Sequence, residues 1–185
     1  MKSTLVMLGL AGATVVATHT WRVEQGDVRV NCPMTIGGSF AATTTAISGS
    51  VSANAIGSPV FDGSLAVDLR TLDTGIDLRN EHLRENYLEV GKGPGFDTAT
   101  LSKIEVKGFS PDAPEGKGVF TGALTLHGVT NTVTGAVDVR QEAAGLRVKA
   151  SFPVNLAEYS IRKPRYLGMG VKDTVEVDVV FAVSR

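Results

Sequence analysis

Three histidines, one cysteine and a handful of arginines are the side chains of this 185-residue chain that could do chemistry beyond packing. His19, His82 and His127 stand far apart. None has a partner at His-x-His or His-x-x-x-His spacing, and none adjoins a cysteine or an acidic cluster, so no zinc site is expected. No Gly-x-Ser-x-Gly elbow and no Walker loop is present. Gly91-Lys92-Gly93-Pro94-Gly95 is glycine-rich, but Pro94 removes an amide that a phosphate nest would use, so it reads as a helix exit turn. No catalytic residue and no metal ligand is assigned. Cys32 has no partner for a disulfide and no basic neighbour in sequence to activate it. It reads as a small apolar residue packed in a strand.

Arg79, His82 and Asn86 carry more information. On a helix they fall at i, i+3 and i+7, a polar stripe beside an apolar one that contains Leu83 and Tyr87. The plain reading is a solvated helix face. The functional reading is a clasp over an opening that holds the polar head of a bound amphiphile, since a guanidinium offers two parallel donors to a carboxylate or phosphate. His127 sits in a turn after an apolar run, where a turn hydrogen bond is its ordinary role.

The elements that would position these residues follow a period of two. Leu146, Val148, Ala150, Phe152, Val154 and Leu156 alternate with Arg147, Lys149, Ser151, Pro153 and Asn155. Alternate side chains of a strand point to opposite faces, so this strand covers an apolar interior. Val175 to Val183 and Phe61 to Leu69 repeat the pattern. Strands are expected over Trp21–Val23, Val28–Val30, Phe40–Val51, Val60–Arg70, Phe96–Phe109, Val119–Leu126, Thr132–Arg140, Leu146–Leu156 and Val171–Val183. Short turn sequences separate them, including His127-Gly128, Glu142-Ala143-Ala144-Gly145 and the loop Ser110–Gly116. Neighbours so joined are antiparallel, and eight or nine strands with one apolar face close into a barrel or fold into a sandwich. Two segments interrupt the pattern. Ile76 to Val90 predicts an amphipathic helix capped by Thr74 or Asp77 and ended by Gly91. Ala157 to Gly170 predicts a short helix or ordered loop.

Composition agrees. Hydrophobic residues make up 43% of the chain, too many for disorder. A formal net charge of −1 argues against nucleic acid as a partner. Aromatics are 6%, and the inferred inward residues are mostly small or medium, so a closed barrel of about eight strands would not be filled by its own side chains. Leu65, Val67, Leu124, Leu126, Val148, Phe152, Val177 and Val179 are expected to line that interior. Arg79, His82, Leu83, Asn86, Tyr87 and His127 are expected at its mouth.

Residues 1–17 read separately. Lys2 precedes the 13-residue run Leu5 to Ala17, which ends in Val15-Val16-Ala17. That is the layout of a cleavable secretory signal, and the run falls short of the ~20 residues a membrane span needs. The expectation is a periplasmic or secreted domain over residues 18–185, with no stable membrane span and with a homodimer left open.

Several motifs resemble the YceI-like family, the bacterial lipid- or polyisoprenoid-binding proteins. They are Leu72-Asp73-Thr74-Gly75 with Arg79, Glu81-His82-Leu83-Arg84 and Tyr87-Leu88-Glu89-Val90, then Gly122-Ala123-Leu124-Thr125-Leu126-His127-Gly128-Val129-Thr130, then Tyr166-Leu167-Gly168 with Val171-Lys172-Asp173-Thr174-Val175. Asn80 stands where the family usually has Asp, and Gly93 stands where it usually has an aromatic. The resemblance implies a lipocalin-like extended antiparallel β-barrel with a helix near its opening. It also implies a long apolar ligand inside (an isoprenoid quinone, a polyprenyl or a fatty chain), carried or scavenged with no other cofactor required. By that likeness Arg79 and His82 match the family's helix motif, and His127 its turn motif. Two alternatives are a lipid-modifying enzyme that uses His82 or His127 with Arg79, and a ligand-free envelope stress or interaction module.

Overall fold

The computed structural model describes residues 19–53, 59–108, 115–163, 165–166 and 169–185. The expected signal and most of the loop Ser110–Gly116 lie outside them. Strands β1 (His19–Pro33), β2 (Ser39–Thr44), β3 (Ile47–Ala53), β4 (Val60–Asp68), β5 (Thr98–Lys107), β6 (Gly116–Leu126), β7 (Val129–Glu142) and β8 (Gly145–Asn155) follow in order, with β11 (Thr174–Ser184) last. A small ribbon, β9 (Arg165–Tyr166) with β10 (Met169–Gly170), precedes β11.

Each strand pairs antiparallel with its neighbour in the order β11-β8-β7-β6-β5-β4-β3-β1-β2, and β11 also pairs with β1. That last ladder, with Val28 opposite Val179 and Val30 opposite Val177, closes the sheet. β2 and β3 are one stave. Both pair with β1 in a single register, Val28 opposite Thr44 and Arg22 opposite Ser50. The result is a closed barrel of eight staves, and closure leaves no long edge exposed.

Boundaries differ from the sequence reading where local chemistry intervenes. Trp21–Val23 and Val28–Val30 belong to one strand, with an irregularity between Val23 and Gln25 that the turn-like Glu24-Gln25-Gly26 disguises. The expected strand Phe40–Val51 breaks at Thr45–Ala46, where Thr44 Oγ1 accepts from the Ala46 amide at 3.0 Å. β4 stops at Asp68 because its carboxylate accepts the Arg70 amide at 3.0 Å and starts a 3-10 turn, Leu69–Thr71. The Ala157–Gly170 interruption contains a 3-10 turn, Leu156–Tyr159.

The hairpin between β6 and β7 is tight. Leu126 pairs Val129, and the two turn residues His127 and Gly128 have φ of 52° and 75°. Two consecutive positive φ values make the primed turn whose twist matches a coiled ladder. A Cβ on Gly128 would also meet the Phe96 ring at 3.2 Å.

Between β4 and β5 the chain leaves the barrel wall and roofs one end. Helix α1 spans Asp77–His82, then Leu83–Tyr87 forms a wide π turn and Val90–Lys92 a 3-10 turn. The expected uninterrupted helix over 76–90 is therefore three short pieces. Ile76 is its N-cap and makes no side-chain bond. Neither Thr74 nor Asp77 caps in the expected way, because Thr74 is taken by Asn80. The Asn80 Oδ1 accepts the Thr74 amide at 2.8 Å and its hydroxyl at 2.7 Å, and Asn80 Nδ2 donates to Asp73 Oδ1 at 2.7 Å. Asp73 in turn bridges the barrel through paired backbone bonds with Thr43 at 2.8 and 2.9 Å. Asn80 is buried, so these bonds fasten the roof to the wall.

Candidate functional site: an apolar cavity under a helical roof

The inward faces of the eight staves enclose a cavity of about 690 Å³. All eight residues expected to line the interior do so: Leu65, Val67, Leu124, Leu126, Val148, Phe152, Val177 and Val179. Leu65, Val67, Val148 and Val177 are only half-buried although they point into the barrel. Their exposure is to the cavity, which is the mark of a bore wider than its side chains fill. Large residues gather where they can pack on each other. Phe120 and Phe152 meet edge to face at 5.5 Å, and Trp21 tilts against Phe61 at 5.9 Å.

Among the described residues, the polar side chains of the lining come from the roof and from one further segment. Arg79, His82, Leu83 and Tyr87 of the roof reach the cavity, as does Arg162 after the 3-10 turn. Arg79 lies over the Phe40 ring, 4.4 Å from its centroid, a cation–π contact at the rim. Burial pushes the Cys32 thiol up to about 11, and the Arg79 guanidinium pulls the other way. Cys32 lines the cavity and is buried, which fits its reading as a packed apolar residue.

Two residues expected at the mouth lie elsewhere. Asn86 is exposed and does not line the cavity, because the π turn widens the helix and swings this position outward. His127 is buried at 8% exposure and lies outside the cavity lining. Its Nδ1 lies 3.0 Å from the Tyr159 carbonyl oxygen and its Nε2 lies 2.9 Å from Glu89 Oε2. Both partners are acceptors, so satisfying both requires both ring nitrogens to donate. Phe96 stands edge-on to the ring at 4.8 Å. His127 is thus a fastener that ties the roof's exit to the turn after β8. Its Glu89 partner is held below the ordinary carboxylate range, chiefly by a hydrogen bond from Lys92, with burial opposing and His127 assisting. An acid–base role for His127 would have to break these bonds first.

Sequence reasoning did not single out Arg162. It falls in a segment read only as an interruption, and no periodicity marks it. Among the described residues no group of three His, Cys, Asp or Glu could hold a metal ion, and no helix is long and apolar enough to cross a membrane.

A closed eight-stave antiparallel barrel with an apolar bore and a helical roof defines the lipocalin-like class, whose barrels have room for one small molecule. Within that class, the chain belongs to the YceI-like domain family, whose model matches residues 17–183. Among solved structures it is similar to a polyisoprenoid binding domain from Saccharophagus degradans implicated in plant cell wall breakdown, with a TM-score of 0.66 and 19% identity over 89% of this chain and 97% of that one. It is similar also to BcnA of Burkholderia cenocepacia, with a TM-score of 0.69 and 18% identity over 86% and 96% of the two chains. At these identities the likeness speaks for the fold. A UPF0312 protein of Vibrio vulnificus (strain YJ016) is 37% identical over 76 residues, 40% of this chain. The matched stretch spans about a third, 36%, of that relative's length.

Proposed function

We propose that this protein is an exported, non-catalytic carrier or scavenger of one long apolar molecule, such as an isoprenoid quinone, a polyprenyl or a fatty chain. The observation that carries the reading is the unfilled bore: about 690 Å³ lined by aliphatic and aromatic side chains, with charged side chains, among the described residues of the lining, only on the roof and at Arg162. Each methylene moved from water into such a space gains ~0.8 kcal/mol. Ten of them set an upper bound near ~8 kcal/mol before the costs of ordering and association. Retention therefore needs no catalytic group and no cofactor. The description of the Saccharophagus relative as polyisoprenoid-binding supports the same class of ligand. The signal-like segment at residues 1–17 supports delivery to the periplasm or beyond, where such molecules are handed between membranes.

The test is organic extraction of protein purified from its native host, followed by mass spectrometry, together with titration of the stripped protein with a quinone and a polyprenol. Trp21 is the sole tryptophan and lines the cavity, so its emission reports filling. A long apolar molecule in the extract and saturable uptake are expected. A clean extract with no uptake of either probe would refute the reading.

A further inference from the structure

The charged groups around the cavity are distributed in a way that chain burial alone does not require. Arg79 and His82 face the cavity from the roof, and Arg162 faces it from the segment after the 3-10 turn. No aspartate or glutamate is among the described residues of the lining. Four acids of the roof (Asp73, Asp77, Glu81 and Glu85) gather around a separate outer cleft with Asn80 and Arg84, and Glu89 is taken by Lys92 and His127.

The three inner groups are also unengaged. Neighbouring cations have partners: Lys163 pairs with Asp173, Lys92 with Glu89, and Arg84 Nη2 donates to the Leu72 carbonyl at 2.8 Å. Among the described residues, Arg79, His82 and Arg162 have no carboxylate and no hydrogen-bond acceptor; the Arg79 guanidinium lies over the Phe40 ring and acts on the Cys32 thiol. Arg79 and the segment after Arg162 both meet the β1–β2 connection. Phe40, under Arg79, lies in β2, while Met34, just after β1, pairs with Val171 just beyond the ribbon that follows Arg162. Two guanidinium groups, with up to five donors each, and one imidazole thus line the cavity.

A barrel of eight staves is just wide enough inside for one slender ligand, so the occupant is a single chain.

Resting on the carrier reading above, we propose that the ligand is a single-chain lipid anion. Its chain lies in the barrel, and its terminal carboxylate or phosphate is clasped at the mouth by Arg79, His82 and Arg162. A neutral head would leave the guanidinium donors partly unmatched, whereas an anion takes charge-assisted bonds from both arginines.

The experiment titrates the stripped protein, by Trp21 emission, with four oleyl compounds of one chain length: oleate, oleyl phosphate, oleyl alcohol and methyl oleate. At least one anion is expected to bind about tenfold or more tightly than both neutral compounds, the scale of a hydrogen bond to a charged group. Comparing oleate with oleyl phosphate identifies the head. Arg162→Gln, at an exposed position, and Arg79→Gln should each reduce the advantage of the anion over oleyl alcohol several-fold. The comparison within the native protein stands even if Arg79→Gln, which removes the Phe40 contact, folds poorly. Equal binding of anions and neutrals would overturn the anionic head and leave the carrier reading intact. Uptake of none of the four, with quinone and polyprenol also rejected, would overturn both.

Discussion

His127 shows how one side chain can serve structure at a position that looks like chemistry. It occupies a positive-φ turn position and spends both ring nitrogens on the Tyr159 carbonyl and the Glu89 carboxylate. His127→Gln keeps a polar side chain but cannot span both acceptors. It should lower unfolding stability by about 2–3 kcal/mol, two hydrogen bonds with one to a charged group, as read from urea denaturation. Ligand uptake by the folded fraction should be unchanged, since the residue lies outside the cavity. Cys32 makes the complementary case. With its thiol pushed up to about 11, the thiolate at neutral pH is on the order of a hundredfold scarcer than for a free cysteine. An aromatic disulfide reagent should therefore label the native protein very slowly and the unfolded protein at once.

At the scale of elements, the roof is the part held by polar bonds, and the barrel is the part held by ladders and apolar contact. Asp73 lies below the ordinary carboxylate range because the Gly75 amide and then the Asn80 side chain bond to it. Asp68 does so because the Arg70 guanidinium bonds to it first, with burial opposing. Glu89 completes the set. All three hold protons more weakly folded than unfolded. Their stabilisation is therefore complete above the unfolded carboxylate values and drains away as the pH falls through them toward the lower folded values. Amide exchange below about pH 4 should accelerate first over residues 69–92, before the ladders of β6, β7 and β8. Asn80→Ala removes three bonds at a buried position. It should produce the same local loosening at neutral pH, at a cost of about 2–3 kcal/mol.

At the scale of the whole molecule, the bore is the functional quantity. Barrel walls set its width, and the sizes of inward residues decide how much stays open. Ala150 is a small, half-buried residue of the lining, opposite Val137 and Val179 on the adjoining staves. Ala150→Phe places a ring in the open volume. Uptake of a long chain should fall at least tenfold in Trp21 titration, while stability holds or rises because free space receives the ring. A large loss of stability with normal uptake would mean that the lumen at this height is already filled. In the native protein, ligand should raise the unfolding free energy by about 2.7 kcal/mol at a hundred times its Kd.

Alternation of side chains was enough to point eight residues inward, from Leu65 on β4 to Val179 on β11, because the period of a strand is fixed by its backbone. Turn residues did the same for the hairpins, and composition hinted that the interior would be underfilled. The sequence could not say that β1 and β11 join, since Val28 and Val179 meet only once every intervening ladder is in place. Nor could it separate the histidines. His127 finds Glu89 and Tyr159 at separations of 38 and 32 residues, and a turn motif carries no trace of partners so remote. Arg162 was likewise invisible until the fold brought it to the cavity lining. Local periodicity decides which way a side chain points, whereas closure decides what it points at, and the identity of a site depends on the second.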